Sequence, residues 1–174
     1  MAEPIILELK TCTLREWREG DEESLVQNAN NKKIWDNVRD LFPYPYTREN
    51  AEWWIKEGCK KEGAFSLAIE VHGNAVGGIG FVFKEDIYRR TMEIGYWLGE
   101  EHWGKGIMTD AVQGITEYGF ANFDVCRIYA GVFDTNIGSI RVLEKAGYQL
   151  EARLRKNITK NEQPVDELIY VMVR

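Results

Sequence analysis

The stretch Glu-Ile-Gly-Tyr-Trp-Leu-Gly-Glu-Glu-His-Trp-Gly-Lys-Gly-Ile-Met-Thr, residues 93–109, decides the fold expected for this chain. Its first half is rich in β-forming residues and predicts a buried strand from Ile94 to Leu98. After a polar segment, Gly104-Lys105-Gly106 precedes a helical pattern, in which apolar residues recur at i, i+3, i+4 and i+7 spacing: Met108, Ala111, Val112 and Ile115. The stretch therefore predicts a strand, a glycine turn and the start of a helix.

A helix that begins directly after a glycine turn is suited to binding phosphate. Its first turn has unpaired N–H groups at the positive end of the helix dipole, and glycine lets a ligand approach the backbone closely. The spacing Gly99-x4-Gly104-Lys105 approaches the pattern G-x-x-x-x-G-K-[ST], but Gly106 stands where a Mg²⁺-binding hydroxyl is required. The dinucleotide pattern G-x-G-x-x-G also fails, because Thr109 occupies the place of its third glycine.

The turn instead resembles the coenzyme A loop, [Q/R]-x-x-G-x-[G/A], of the GNAT superfamily of N-acetyltransferases. Here the loop is Glu101-His102-Trp103-Gly104-Lys105-Gly106. Glu101 replaces Gln or Arg, which removes a side-chain donor but leaves the backbone amides. Five segments in order resemble the Rim-type branch of ribosomal-protein N-terminal acetyltransferases: Leu14-Arg15-x-Trp17, Phe42-Pro43-x-Pro45-Tyr46-Thr47, Glu93 to Leu98, Trp103 to Gly106, and Asn136-x-x-Ser139 with Glu144-Lys145-x-Gly147-Tyr148.

The resemblance implies one GNAT-like α/β domain over residues 1–174. Its sheet would be mixed and mostly antiparallel, with about seven strands, about four helices and a parallel strand pair splayed at the cofactor site. Local signals agree with that architecture. Asp21 and Thr47 are expected to cap the first two helices, and Gly147 to end the last. A strand, helix and strand over residues 91–133 predict a parallel pair joined by a crossover.

Composition limits the class of protein and of partner. With 44% hydrophobic and 29% charged residues, the 174-residue chain has the balance of a soluble globular domain. A net charge of −6 argues against nucleic acid as the main partner. Three cysteines without C-x-x-C pairing and two histidines predict no metal site and a reducing, cytoplasmic environment. Residues 1–9 predict a strand rather than a signal peptide, and no apolar run is long enough to cross a membrane.

The resemblance implies acetyl-CoA as co-substrate. Backbone N–H groups would hold its pyrophosphate, at Gly104, Lys105, Gly106, Ile107, Met108 and Thr109. Its pantetheine arm would pair with the backbone of Tyr96, Trp97 and Leu98. Asn136 would bond this arm or cap the last helix, and both roles remain open. Arg141 would reach coenzyme phosphates, although an exposed helical cation is usually only solvated.

Glu93 is the expected general base, because a carboxylate among aromatic rings would be desolvated and its pKa raised. The alternative is a structural strand residue that pairs with Arg89, Arg90 or another cation. The tyrosine that many GNAT members use as general acid is replaced here by Leu143. Ser139 is the nearest hydroxyl by motif and would protonate or bond the sulfur, unless it is an ordinary helix residue. A thiol with a pKa of about 8.5 can also leave as thiolate unaided.

The expected function is acetyl transfer to a primary amine by direct attack, most simply to a protein N-terminal α-amine such as that of a ribosomal protein. Arg39, Phe42, Tyr44 and Tyr46 would form one wall of the acceptor pocket, unless these rings only pack helices onto the sheet. One alternative acceptor is a small-molecule amine, namely a polyamine, an amino acid or an aminoglycoside. Another alternative is a non-catalytic acyl-CoA sensor. No nucleic acid or membrane partner is expected, and a homodimer remains open.

Overall fold

The computed structural model describes residues 4–174, in which one sheet has eight strands in the order β1-β2-β3-β4-β5-β6-β8-β7. The strands are β1 Ile6–Glu8, β2 Thr13–Arg15, β3 Ala64–Val71, β4 Asn74–Phe83, β5 Thr91–Leu98, β6 Arg127–Phe133, β7 Gln149–Lys160 and β8 Gln163–Val173. The α-helices are α1 Glu22–Ala29, α2 Lys32–Trp35, α3 Arg48–Lys56, α4 Ile107–Asn122 and α5 Ile137–Lys145. The part of the 1–9 strand prediction that concerns residues 1–3 lies outside the described residues.

The predicted α/β fold is confirmed, with two additions. The strand predicted over residues 1–9 is followed by a second short strand, because the chain turns at Lys10 and Thr11 and Leu9 N–H donates to the Cys12 carbonyl at 2.9 Å. The second addition is the short helix α2, which Asn31 caps by accepting from Lys33 N–H. The described chain therefore has eight strands and five α-helices instead of about seven and about four.

One pair of neighbouring strands, β5 and β6, is parallel, and every other neighbouring pair in the described sheet is antiparallel. This pair is joined through α4, and its register stops at Glu93 opposite Tyr129. Beyond that point β5 stays paired with β4 as far as Leu98, and β6 stays paired with β8 as far as Phe133. The predicted splayed pair is confirmed, and a cleft opens at the carboxyl ends of the two strands.

The two faces of the sheet have separate apolar cores. Alternate residues of β4, β5 and β6 point to the face that α4 and α5 cover. The predicted apolar stripe of α4 is buried there: Met108, Ala111, Val112 and Ile115. The opposite face carries a smaller core under α1 and α3, built around Trp17, Leu25, Tyr46 and Ile55. This second core covers only part of its face, and Gly95 and Gly131 on that face are exposed beside the cleft.

Two of the three predictions about helix ends are confirmed, and the third is wrong. Thr47 caps α3 in a capping box with Asn50, and Gly147 has a φ of +95° directly after α5. The prediction that Asp21 caps α1 is wrong, since its side chain makes no cap hydrogen bond. Its carboxylate instead accepts from Arg15 Nη1 and Nη2 at 2.8 and 2.7 Å. Arg15 is buried beneath the sheet edge, where an unpaired guanidinium would be costly.

Candidate active site

The glycine turn and the start of α4 form an exposed backbone surface beside the cleft. Gly104 and Gly106 have φ values of +72° and +80°, a conformation that glycine adopts without the strain of a side chain. Asp110 N–H donates to the Gly106 carbonyl, so the N–H groups of residues 107–109 precede the first helical hydrogen bond. The loop residues predicted to bind pyrophosphate are therefore together at the positive end of a sixteen-residue helix.

The free edge of β5 beyond Glu93 presents backbone more than side chains. The Trp97 ring packs against Phe42 at 5.6 Å between centroids, and Leu98 is buried in the main core. At Gly95 nothing lies within 4 Å of the position that a side chain would take. The segment predicted to pair with pantetheine, residues 96–98, thus borders the cleft with its main chain.

Glu93 lies at the point where the parallel pairing ends, and three donors surround its carboxylate. Lys84 Nζ donates to Oε2 at 2.7 Å, the Tyr129 hydroxyl donates to the same oxygen at 3.1 Å, and Arg39 donates to Oε1. The Glu93 side chain is only 15% exposed. Glu93 does form the ion pairs that the sequence offered as the alternative to a base role. Its partners, however, are Lys84 and Arg39 instead of Arg89 or Arg90.

The prediction that the pKa of Glu93 is raised is wrong. Burial alone would raise it, but the hydrogen bond from Lys84, the charges of Arg39 and Lys84 and the Tyr129 hydroxyl outweigh burial, and the pKa lies below its ordinary value. Neither cation could be identified from sequence, because Arg39 comes from the loop after α2 and Lys84 from the end of β4. Glu93 is therefore an ionised carboxylate throughout the neutral range.

A hydroxyl pair spans the cleft from β5 to α5. The Tyr96 hydroxyl lies 2.7 Å from Ser139 Oγ, and Ser139 N–H donates to the Asn136 side chain at 3.1 Å. Asn136 is thus the N-cap of α5. Burial raises the pKa of Tyr96, which keeps this phenol protonated. The sequence singled out Tyr96 for its backbone only, and its hydroxyl was missed.

Two other residues of α5 that the sequence singled out, Leu143 and Arg141, differ in their exposure. Leu143 is fully buried in the main core, so the residue that replaces the family tyrosine is a packing residue here. Arg141 is exposed on the helix surface, where a coenzyme phosphate could meet it. Within residues 4–174, no cluster of three or more His, Cys, Asp or Glu side chains is placed to bind a metal ion. None of the helices described is both long and apolar enough to cross a bilayer.

Some residues of the predicted acceptor wall pack in the core, and others are exposed. Tyr46 is buried in the second core and burial raises its pKa to about 12, so it takes the packing role that the sequence left open. Phe42 lies between Tyr46 and Trp97. Tyr44 is 44% exposed beside Trp35, and Arg39 reaches Glu93. Arg39 and Tyr44 therefore remain the accessible members of the predicted wall.

Lys160 connects the tip of the β7–β8 hairpin to this wall and was missed by sequence reasoning. It is only 5% exposed, and its Nζ donates to Asp40 Oδ1 at 2.6 Å and to the Val38 carbonyl at 3.0 Å. The same nitrogen lies 3.6 Å from the centroid of Trp35. A cavity of about 390 Å³ lies next to these contacts, lined by Asp36, Asn37, Phe133, Thr135, Lys160, Asn161, Gln163 and Val165.

Comparison with known proteins identifies the family. Residues 12–149 match the acetyltransferase (GNAT) domain, so the chain belongs to the GNAT acetyltransferase family. It is 50% identical over 86 residues to the probable N-acetyltransferase YjcK of Bacillus subtilis, and this match covers 48% of each chain. The chain therefore spans about half the length of that relative.

Two further similarities extend over more of the chain. The putative ribosomal N-acetyltransferase YdaF of Bacillus subtilis is 30% identical over 147 residues, which are 84% of this chain and 74% of YdaF. The crystal structure of the microcin C7 self-immunity acetyltransferase MccE, in complex with acetyl-CoA and AMP, aligns with a TM-score of 0.80 and 26% identity. That alignment covers 95% of this chain and 93% of MccE.

Proposed function

We propose that this chain transfers the acetyl group of acetyl-CoA to a primary amine by direct attack. The observation that carries the proposal is the cleft between β5 and β6, which opens at Glu93 beside a helix N-terminus preceded by two left-handed glycines. Membership of the GNAT family and the acetyl-CoA bound to MccE support the choice of coenzyme. The backbone at residues 104–109 would hold the pyrophosphate, and residues 96–98 the pantetheine arm.

In the proposed reaction the amine nitrogen adds to the thioester carbon, the C–N bond forms and the C–S bond breaks. Holding both reactants in one cleft makes this step effectively intramolecular. Glu93 is proposed to receive the nitrogen's proton. A carboxylate with a lowered pKa is a poor base toward a free ammonium ion. It is suited to the much more acidic proton that the nitrogen carries after addition.

The leaving sulfur is proposed to depart as thiolate and to take its proton from solvent, while it accepts a hydrogen bond from the Ser139 hydroxyl. Tyr96 stays protonated and can donate its hydrogen to Ser139 Oγ, which leaves the serine proton free to point into the cleft. The chain thus has a hydroxyl at the cleft although Leu143 replaces the family tyrosine. Since Asn136 accepts from the Ser139 backbone, its N-cap role also fixes where this hydroxyl lies.

The acceptor favoured by this site is an α-amine, and the N-terminus of a protein such as a ribosomal protein is the proposed source. An α-amino group has a pKa of about 7.7–8.0 and is partly neutral at pH 7, whereas a lysine amine near 10.4 is almost wholly protonated. Glu93 is too weak a base to deprotonate a lysine ammonium group, so it cannot make a lysine amine as reactive as an α-amine. The similarity to YdaF agrees with this acceptor class. A small-molecule amine is the second candidate, because the cavity near Lys160 is only about 390 Å³.

Release of free thiol from acetyl-CoA by the purified protein tests the proposal. We expect release with a short peptide that has a free N-terminus, and slower release with the same peptide N-blocked and carrying an internal lysine. Faster thiol release with spermidine than with either peptide would indicate that the acceptor is a small-molecule amine. Coenzyme binding without thiol release for any amine would instead identify an acyl-CoA sensor.

A further inference from the structure

Beyond Glu93 the cleft is lined on one face by two glycines. Side chains alternate along a strand, so Gly95 lies on the same face as Glu93, and Gly131 on the same face as Tyr129. Both glycines are exposed and lie two residues past the last parallel pair, about 6–7 Å further along their strands. At these two positions β5 and β6 contribute no side chains of their own, which leaves a slot through which a nucleophile can approach a thioester held between the strands.

The carboxylate of Glu167 lies over this slot. Glu167 is opposite Phe133 in the β6–β8 register and therefore points to the same face as Gly131. A Cβ atom added at Gly131 would collide with Glu167 Oε1. The absence of a side chain at Gly131 is what lets this carboxylate lie across β6.

Glu167 and Glu93 differ in what surrounds them. Asn157 Nδ2 donates to Glu167 Oε2 at 2.6 Å, from a part of β7 where the pairing with β8 is irregular. Among the described residues, no Lys, Arg or His nitrogen lies within 4 Å of Glu167. Glu93 is already bound by Lys84 and Arg39. A third cation at Glu93 would be repelled by these two, whereas Oε1 of Glu167 is available to one.

The cavity near Lys160 extends this surface along β8. Its lining includes Gln163 and Val165, which alternate with Glu167 on one face of the strand, and Phe133, which is the register partner of Glu167. A substrate seated in the cavity would thus have its end directed toward the glycine slot past Glu167.

We propose that Glu167 is the acceptor-binding carboxylate of this enzyme, which holds the ammonium group of a cationic primary amine at the slot between Gly95 and Gly131. This inference rests on the proposed function and assigns the acceptor a positive charge on arrival. The ammonium donates one N–H to Glu167 Oε1, loses a proton to solvent water, and attacks the thioester as the neutral amine. Glu167 contributes binding and position, and Glu93 remains the proposed proton acceptor during transfer.

The test removes the charge of Glu167 in one variant and displaces its carboxylate in another. Glu167→Gln should raise KM for the free-N-terminus peptide about 10- to 100-fold, the range expected for losing a hydrogen bond to a charged group. Gly131→Ala should reproduce the effect, because the new methyl group displaces the flexible end of Glu167. The double variant should lose little more than either single one. Glu162→Gln, at the exposed tip of the same hairpin, makes the same charge change and should leave KM unaltered.

A neutral acceptor separates charge recognition from a general defect. An aromatic amine, which is uncharged at neutral pH, should be acetylated with the same KM by wild type and Glu167→Gln. An unchanged KM for the cationic peptide, or an equal loss for both amines, would overturn the role of Glu167.

Calorimetry of peptide binding to the protein–CoA complex examines Glu167 without turnover. Weaker binding by Glu167→Gln supports the inference, and equal affinity overturns it. Absence of acetyl transfer by the wild type, together with Glu167-dependent binding, would overturn the proposed transferase function alone.

Discussion

At the scale of single residues, the cleft shows that a carboxylate's neighbours matter more than its burial. Glu93 is largely buried, which alone would raise its pKa, yet its pKa is lowered because Lys84 and Arg39 are in direct contact with it. The charges of these two cations would also repel a protonated amine near Glu93. This environment agrees with the role proposed for Glu93, which is to accept a proton from the nitrogen after addition, and not with recognition of a cationic acceptor.

Replacing Glu93 with Gln should lower kcat by roughly 10²–10⁴, the range for loss of a general base, with coenzyme affinity unchanged. Because the pKa of Glu93 is lowered, it is ionised well below pH 6. The acid limb of the kcat/KM profile should then report the amine and persist in the variant. Kinetics from pH 5 to 9 measure this, with Glu85→Gln as a matched change on the exposed loop after β4. A limb that disappears in Glu93→Gln would assign it to Glu93.

The same pKa has a consequence for stability. A folded-state pKa below the unfolded value means that the ionised carboxylate stabilises the fold above about pH 4.3, and this contribution is lost as pH falls through the folded pKa. Wild type should exceed Glu93→Gln by about 1–3 kcal/mol in free energy of unfolding at pH 7. Urea unfolding at several pH values should show the gap closing below pH 4. A constant gap would mean that packing, and not charge, is responsible.

At the scale of elements, α1 shows where local sequence signals fail. Thr47, Asn136 and Gly147 act at helix ends as predicted, because each satisfies backbone groups only a few residues away. Asp21 has the right residue type for a cap, but Arg15 at the end of β2 binds it. Glu70 of β3 binds the same arginine. Contacts between side chains of different elements depend on how the whole sheet is assembled, and local sequence does not predict them. The ion pairs of Glu93 and the contact between Tyr96 and Ser139 are of the same kind.

Asp21→Ser separates the two roles at α1. Serine is as good an N-cap residue as aspartate, so loss of a cap alone would cost little. Removing one partner of a buried ion pair should instead cost about 3 kcal/mol or more. Urea unfolding measures the difference, with Thr47→Ala as a reference for a true cap at about 1 kcal/mol. A loss in Asp21→Ser smaller than in Thr47→Ala would restore the capping role.

The start of α4 can be tested with two glycines in the same backbone conformation. Gly106 has a φ of +80° and Gly63 a φ of +78°, and nothing lies within 4 Å of a Cβ at either. Alanine at each should cost a similar amount, about 1–2 kcal/mol in free energy of unfolding. Only Gly106→Ala should also weaken coenzyme A binding, by about 10- to 100-fold, because its methyl group obstructs phosphate contact with the amides. Calorimetry showing equal affinity in both variants would exclude this loop as the pyrophosphate site.

At the scale of the whole molecule, the β7–β8 hairpin near the end of the chain contacts the loop after α2, which carries part of the predicted acceptor wall. Lys160 of β7 binds Asp40 and the Val38 carbonyl, and Asn161 binds Asp36 at 3.0 Å. These contacts join residues more than one hundred positions apart in the chain, and Arg39 lies between two of them. The position of Arg39 on Glu93 thus depends on a hairpin that follows every other element of the sheet.

Lys160→Met should loosen this connection while keeping the apolar contact with Trp35. We expect faster amide hydrogen exchange over residues 36–42 and a several-fold rise in KM for the acceptor, with coenzyme affinity unchanged, because the coenzyme loop lies on other elements. Exchange measured by mass spectrometry and steady-state kinetics provide both readouts. Arg155→Met, exposed on the same strand, is the control. Unaltered exchange in Lys160→Met would show that the wall is held by other contacts.

The brevity of the β5–β6 pairing also affects how the molecule holds together. Three register pairs join these strands, whereas β4–β5 and β6–β8 each have seven. The sheet therefore consists of two blocks, one of strands β1 to β5 and one of strands β6, β8 and β7. Few backbone hydrogen bonds join the two blocks along a seam between β5 and β6. A coenzyme arm bound along the seam would act as a missing strand, and at one hundred times its Kd it would add about 2.7 kcal/mol to the stability of the folded state. Cellular levels of acetyl-CoA would then set the protein's resistance to proteolysis as well as its rate of turnover.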